Sequence, residues 1–359
     1  MSRARDFADL AGSADAGGLT GRNLIINGAF SIFQRGTSAT TVNGNDIFAA
    51  DRFKGWANGG GTFTVEQSTD VPNNEFEFSA KLTNTATDGS VAASDNYRWA
   101  TDLEGYTVSQ LGYGHSDAKA VTLSFWVKSS LAGTYCGALY STTASRHYIY
   151  EYTISSANTW EKKTITITSG DTTGSWNKTN GNGLRIYWGF GSGTDYQGTA
   201  GAWTAGEKWE TSNQAAWIGS ASATFYITGV QLEVGETATP FEHRSYGDEL
   251  ARCQRYYEEW GGELAYQPFG YFEGTGTTGF SVLQFTEKRD APTVTVSDVT
   301  HFHSVRGSVV FSAMVFSQPV TTHVLCTISR ASNNWASGEI FSWRANNSTS
   351  ARIYFNAEL

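Results

Sequence analysis

Apolar and polar residues alternate one by one through most of this 359-residue chain, in short runs closed by Gly, Ser or Asn. In "GTFTVEQS" Phe63 and Val65 fall on one face, and in "FEFSAKLTN" Phe76, Phe78, Ala80 and Leu82 do the same. "AVTLSFWVKSS" repeats the pattern with Val121, Leu123, Phe125 and Val127, and "HYIYEYTIS", "KKTITITS", "LRIYWGFGS" and "ATFYITGVQLEV" continue it. A period of two is the signature of strands with one face on a core. At least eight such strands lie between residues 23 and 234, with no helical run among them. Antiparallel strands in that number imply two packed sheets, a β-sandwich. Seven shorter runs after residue 262, from "FGYFEG" to "ARIYFNAEL", predict a second, smaller C-terminal β-sandwich. The chain is therefore expected to be all-β and of more than one domain. Composition agrees: 14% of residues are aromatic, Gly occurs 39 times, and only 16% are charged.

One stretch breaks the pattern. In "SYGDELARCQRYYEEWGG", Tyr246, Leu250, Cys253, Tyr257 and Trp260 are spaced by four, three, four and three. Asp248 and Glu249 suit the first turn of a helix, and Gly261-Gly262 suits its end. The spacing predicts a helix over 246–260 with a seven-residue seam. A helix this short must pack on something, either its own sandwich or copies of itself from neighbouring chains.

Charge and cysteine content exclude several classes of partner. The net charge is −9 and no Lys/Arg cluster is available to neutralise phosphates, so nucleic acid is not an expected partner. Cys136, Cys253 and Cys326 are too few and too far apart to encode a disulfide framework. "MSRARDFADL" lacks the apolar core of a signal peptide, and "SVVFSAMVF" is too short to span a bilayer, so no membrane insertion is expected. Residues 1–22 read either as a tail or as a peptide that folds on a partner, with Phe7 and Leu10 as anchors. No phosphate loop, HExxH or GxSxG motif is present. The expectation is a protein that is not an enzyme and needs no cofactor.

Several stretches together resemble the fibre and receptor-binding proteins of tailed bacteriophages: "GRNLIINGAFSIFQRGTS", "ADRF", "VTLSFWVKSSLAGTY", "ANTWEKKTITI" and "FYITGVQLEVGETATPFEHRSYGDELARCQRYYE". "KRDAPTVTVS", the terminal "FNAEL" and the opening "SRARDFADL" are similar to parts of the same proteins. "NLIINGAF" and "FYITGVQLEVG" also resemble the first and last strands of jelly-roll carbohydrate-binding modules. The resemblance implies a homotrimer assembled in the bacterial cytoplasm and carried on the virion as a tail or head fibre. It implies a virion-attachment peptide at 1–22 and a carbohydrate-binding-module-like domain at 23–242. A helical trimerisation linker at 243–262 and a C-terminal tip domain at 263–359 follow. It further implies host-surface glycan as the partner, and it favours self-association for the 246–260 helix. Two departures bear on metal: Thr228-Gly229 stands where many such modules carry an acidic pair, and Ala29 replaces an acidic residue, so structural calcium is not expected.

Sugar binding needs exposed aromatic rings beside amide or charged donors. Positions opposite the expected core face supply them: Tyr97, Arg98 and Trp99, then Trp126, Tyr148, Tyr150, Arg185 and Tyr187. Trp126, Tyr150 and Tyr187 are expected to share one sheet face. His301 and His303 have the spacing to share a metal on an extended segment, but a polar strand face is the plainer reading and no metal is assigned. Two other functions fit the same residues, a purely structural spacer and an enzyme that degrades capsule or lipopolysaccharide.

Overall fold

The computed structural model describes residues 21–305, 309–331 and 335–359. The proposed attachment residues Phe7 and Leu10 lie outside them. The chain divides into two compact units, residues up to Glu249 together with Leu359, and residues 250–358.

The first unit holds the strands β1 (Thr40–Val42), β2 (Gly44–Phe48), β3 (Phe53–Asn58), β4 (Thr62–Ser68), β5 (Ser79–Ala86) and β6 (Asn96–Glu104). After a short helix, α1 (Gly105–Val108), come β7 (Val121–Ser129), β8 (Gly133–Ser141), β9 (Arg146–Ile154), β10 (Glu161–Ile167), β11 (Asn182–Gly189), β12 (Trp203–Ala205) and β13 (Thr224–Val234). They form a six-stranded sheet in the order β1-β4-β5-β13-β7-β10 and a seven-stranded sheet in the order β12-β9-β8-β11-β6-β3-β2. Neighbouring strands within each sheet run antiparallel, which is the two-sheet sandwich expected from the alternation. The inward residues are those the period of two selects: Phe63, Val65, Leu82, Val121, Leu123, Phe125, Val127, Leu184, Ile186 and Trp188 are all fully buried in one cluster.

The outer faces of the two sheets differ. All nine residues of β6 are buried, so that strand is covered on both sides. Its cover is the segment after β11: Tyr196 and Trp209 stack at 4.1 Å, and Trp209 lies 5.3 Å from the Tyr187 ring. Trp56, Ala100, Ala138, Tyr140, Ile149, Tyr187 and Trp209 thereby form a small second core. The six-stranded sheet keeps an outer face with half-buried side chains.

The chain closes on itself where the sandwich begins. Arg244 donates from Nη1 to the Ile25 carbonyl (2.9 Å) and from Nη2 to the Asn23 carbonyl. Its guanidinium also pairs with Glu249 at 3.3 Å and lies 3.8 Å from Glu242. An arginine thus supplies the positive charge where the strand ends meet.

The helix expected over 246–260 is shorter than the spacing suggested. Helix α2 spans Tyr246–Gln254, and Tyr257–Gly261 is a strand, β14. Tyr257 and Trp260 therefore do not continue a helical face with Tyr246, Leu250 and Cys253, and the seam ends after Cys253. The reason is pairing from far along the chain: β14 runs antiparallel to Arg352–Asn356, from Tyr257↔Asn356 to Gly261↔Arg352. Aromatic residues fit a pleated strand, and here Trp260 packs on Phe355 at 4.8 Å, which overrides a weak local helix preference.

The second unit continues with β15 (Pro268–Gly276), β16 (Thr278–Gln284), β17 (Thr293–Val296), β18 (Phe302–Ser304), β19 (Ala313–Ser317), β20 (His323–Ser329), β21 (Trp335–Ala345) and β22 (Arg352–Asn356). A three-stranded sheet, β14-β22-β17, and a six-stranded sheet, β18-β21-β15-β16-β20-β19, share one core. His301 and His303 do not converge: His301 Nδ1 lies 3.1 Å from Ser297 Oγ, whereas buried His303 accepts from Arg344 at 3.0 Å. Among the described residues no group of three or more His, Cys, Asp or Glu side chains could hold a metal.

Candidate functional site

The eight sequence-selected residues fall into three settings. Tyr97, Trp99 and Tyr150 point into the sandwich core. Tyr97 donates to Asp88 at 2.6 Å and Tyr150 to the Tyr187 carbonyl at 2.7 Å, so their hydroxyls are already used. They cannot serve as platforms.

Arg98, Arg185 and Tyr187 lie on the outer face of the seven-stranded sheet, as the alternation requires, but beneath the covering segment. The Arg98 guanidinium sits 4.0 Å from the Trp209 ring centre, 4.5 Å from Trp56 and 4.7 Å from Tyr187. Rings on three sides attract a cation through their negative faces and also remove it from water. Tyr187 donates to Glu207 at 2.8 Å, and Glu207 lies 3.3 Å from Arg98. Buried Asp102 takes two bonds from Arg185 and pairs with Lys54 at 2.7 Å. Burial alone would raise the Asp102 pKa, but Arg185 and Lys54 hold it well below the usual carboxylate range. This cluster is a closed packing unit, not an open sugar platform.

Trp126 and Tyr148 remain partly open to solvent. Trp126 projects from β7 on the outer face of the six-stranded sheet, where Trp160 and Tyr226 are also half-buried. Lys128 lies 4.2 Å from the Tyr226 ring and 5.3 Å from Trp160, and it pairs with Asp70. Trp160 donates its indole N–H to Asp70 at 3.0 Å. Burial raises the Asp70 pKa, yet the Lys128 and Trp160 hydrogen bonds outweigh it and hold the carboxyl below its ordinary value. Lys81 and Glu66 form a further pair at 2.6 Å on the same sheet.

Next to these rings is a cleft of about 330 Å³ lined by Glu75, Ser124, Trp126, Lys162, Gly229 and residues 238–241. Gly229 shapes it. The register of β13 against β7 shifts between Thr228 and Gln231, and Gly229 there has a φ of 63°. A Cβ on it would come within 2.6 Å of the Phe76 ring and 3.2 Å of Trp126. The absence of a side chain at Gly229 thus leaves room for Phe76 and Trp126 beside the bulge. Half-exposed rings, an ammonium, a carboxylate and hydroxyls within one patch are what a saccharide needs: C–H faces to stack and hydroxyls to read.

Tyr148 occupies a separate cleft of about 330 Å³ at the sandwich rim, with Trp203 at 5.5 Å. Arg146 there binds Asp171 through Nε at 2.6 Å and Nη2 at 3.2 Å. Trp126, Tyr150 and Tyr187 therefore occupy three environments rather than one shared face. Sequence reasoning missed Trp160 and Tyr226. Tyr226 was detectable, since it has opposite parity to the core residues Phe225 and Ile227.

A third cleft, of about 350 Å³, holds the carboxylates of Asp88 and Glu210. Glu210 accepts from the backbone N–H of Ser192 at 2.6 Å and of Gly191 at 3.1 Å. Burial, partly offset by those bonds, pushes it up to about 7. Asp88 accepts from Tyr97 and the Ser90 N–H, so both carboxylates already anchor backbone or core.

No protein-family model and no curated protein sequence matches the chain. Solved structures similar to it include the enzymatically active domain of bacteriophage CBA120 tailspike protein 4, at 13% identity and a TM-score of 0.31. That overlap covers 60% of this chain and 22% of the tailspike domain. A family 11 carbohydrate-binding module from Clostridium thermocellum overlaps at 12% identity and a TM-score of 0.29, covering 58% of this chain and 99% of the module. A sugar-binding protein described as putative, from Bacteroides thetaiotaomicron, gives 11% identity and 0.33, covering 59% of this chain and 100% of its own. Overlaps this partial carry no functional weight, and the site stands on its own side chains.

Proposed function

We propose that this chain is a fibre or spike protein of a tailed bacteriophage that holds host-surface glycan without cleaving it. The observation that carries the proposal is the open patch of Trp126, Trp160 and Tyr226 around the Lys128–Asp70 pair, with the Glu75–Lys162 cleft beside it. The sequence resemblance to phage fibres supports the virion setting, with attachment through residues 1–22 and a homotrimer as the working form. Three copies raise avidity on a cell surface where a single shallow site is weak.

The packed state of Tyr97, Trp99, Tyr150 and Tyr187 favours a second reading, a structural spacer whose aromatics are core. A bacterial glycan array separates the two, and a reducing-sugar assay on every bound glycan tests for cleavage. Selective binding without released sugar is the expected result. Binding to no glycan favours the spacer, and released reducing ends make the protein an enzyme.

A further inference from the structure

The six-stranded sheet of the second unit carries apolar side chains on both sides. Its inner side carries the buried Phe272, Leu283, Val324, Cys326, Ile328, Phe341 and Trp343. Its outer side carries Ile340 (74% exposed), Tyr271 (71%), Val282 (58%), Val315 (56%) and Phe280 (44%).

The strand register brings these five together. Glu273 pairs with both Ile340 and Phe280, Phe280 with Thr327, and Thr327 with Val315, so one row crosses β21, β15, β16, β20 and β19. Tyr271, opposite Ser342, and Val282, opposite Leu325, belong to the neighbouring row. An antiparallel sheet with one face in water alternates apolar-in with polar-out. This one does not. Five side chains at these exposures present on the order of 500 Å² of apolar surface, at the upper end of what a monomer leaves bare.

We infer that this outer face is a self-association surface, turned toward the axis of the homotrimer and covered by the neighbouring copies of this chain. Two features favour a copy over a partner of another kind. Among the described residues the face carries one carboxylate, Glu273, and one guanidinium, Arg344, so it complements itself and selects for no oppositely charged surface. With the polar residues around it, the apolar patch also approaches the roughly 800 Å² per partner of a stable interface. The inference rests on the homo-oligomer reading above, and it moves the contact from the truncated helix seam to the sheet.

The test is sedimentation of the full chain at micromolar concentration, for the wild type, Tyr271→Asp/Val282→Asp and Tyr246→Asp. Placing two charges in the dry interface should raise the dissociation constant at least about a hundredfold, leaving monomer. At a dilution where wild type and double variant are both monomeric, melting temperature should hold, because both side chains are exposed in the single chain. Tyr246→Asp, on the exposed start of the helix, should remain oligomeric. Val282→Cys gives a second readout, since Cys136, Cys253 and Cys326 are all buried and a pyrene maleimide would label the new thiol alone. Excimer emission is expected from the labelled oligomer. A wild-type oligomer that the double variant leaves intact, without excimer, overturns this interface but not oligomerisation. A monomeric wild type overturns both.

Discussion

On the seven-stranded sheet the Arg98 guanidinium is enclosed by Trp56, Tyr187 and Trp209; on the six-stranded sheet Lys128 lies against Trp160 and Tyr226 and its partner Asp70 is half exposed. Both arrangements put a cation on aromatic rings at outward positions of central strands. The difference is the segment carrying Tyr196, Glu207 and Trp209, which closes over one sheet, whereas residues 238–241 leave a cleft beside Trp126. Covered, such a cluster holds the fold together; uncovered, it is free to meet a ligand. Strand alternation decides which way a side chain points, and the rest of the chain decides whether water reaches it.

The largest contrast should come from one carboxylate on each sheet, buried Asp102 beside Arg185 and Lys54, and half-exposed Asp70 beside Lys128. Asp102→Ala strands Lys54 and Arg185 without their buried partner and should cost about 3–5 kcal/mol. Asp70→Ala removes a solvent-screened pair and should cost about 0–1 kcal/mol. Urea denaturation of the two variants measures both. Equal costs would erase the distinction between a closed and an open face.

Acid titration sharpens the comparison within the covered region. Glu210 has a folded pKa of about 7, above its unfolded value near 4.5. Its contribution to stability is complete below the unfolded pKa and disappears as pH rises through 7. At 1.36 kcal/mol per unit, the loss across that window is about 3 kcal/mol. Asp102 acts in the opposite sense: its folded pKa is depressed, so its contribution is present above the unfolded value near 3.8 and is lost as pH falls below it. Denaturation followed from pH 4 to 8 should show a decline in the wild type that Glu210→Gln flattens. An unchanged slope in Glu210→Gln would assign the decline elsewhere.

A smaller effect is expected at Gly229. Alanine there adds strain at a positive φ and presses on Phe76 and Trp126, costing about 1–3 kcal/mol. It should also tilt the Trp126 ring and weaken glycan binding, a coupling that fluorescence quenching of the exposed tryptophans would detect. Unaltered quenching and binding would mean that the bulge does not position the ring.

The inward faces were legible in the sequence because period-two alternation is a local signal: Val121, Leu123, Phe125 and Val127 needed no tertiary information. The fate of the outward residues was not legible. Tyr187 and Trp126 occupy equivalent outward positions, and only the path of residues 196–209 tells them apart. Tyr257 and Trp260 fitted a heptad, but their strand partner, Arg352–Asn356, lies almost a hundred residues further on. Trp160 precedes β10 rather than alternating within it, so no pattern singled it out.

The most direct measurement is binding of array-identified glycan to Trp126→Ala/Trp160→Ala and to Tyr187→Phe, each scaled to folded protein. Stacking contributes about 0.5–1.5 kcal/mol per ring beyond area burial, so the double variant should bind roughly tenfold or more weakly. Its melting temperature should shift by only a few degrees. Tyr187→Phe removes the hydroxyl that donates to Glu207, so it should lose stability and bind as tightly as the wild type. Full binding by the double variant, or weakened binding by folded Tyr187→Phe, would place the ligand on the other sheet and contradict the account.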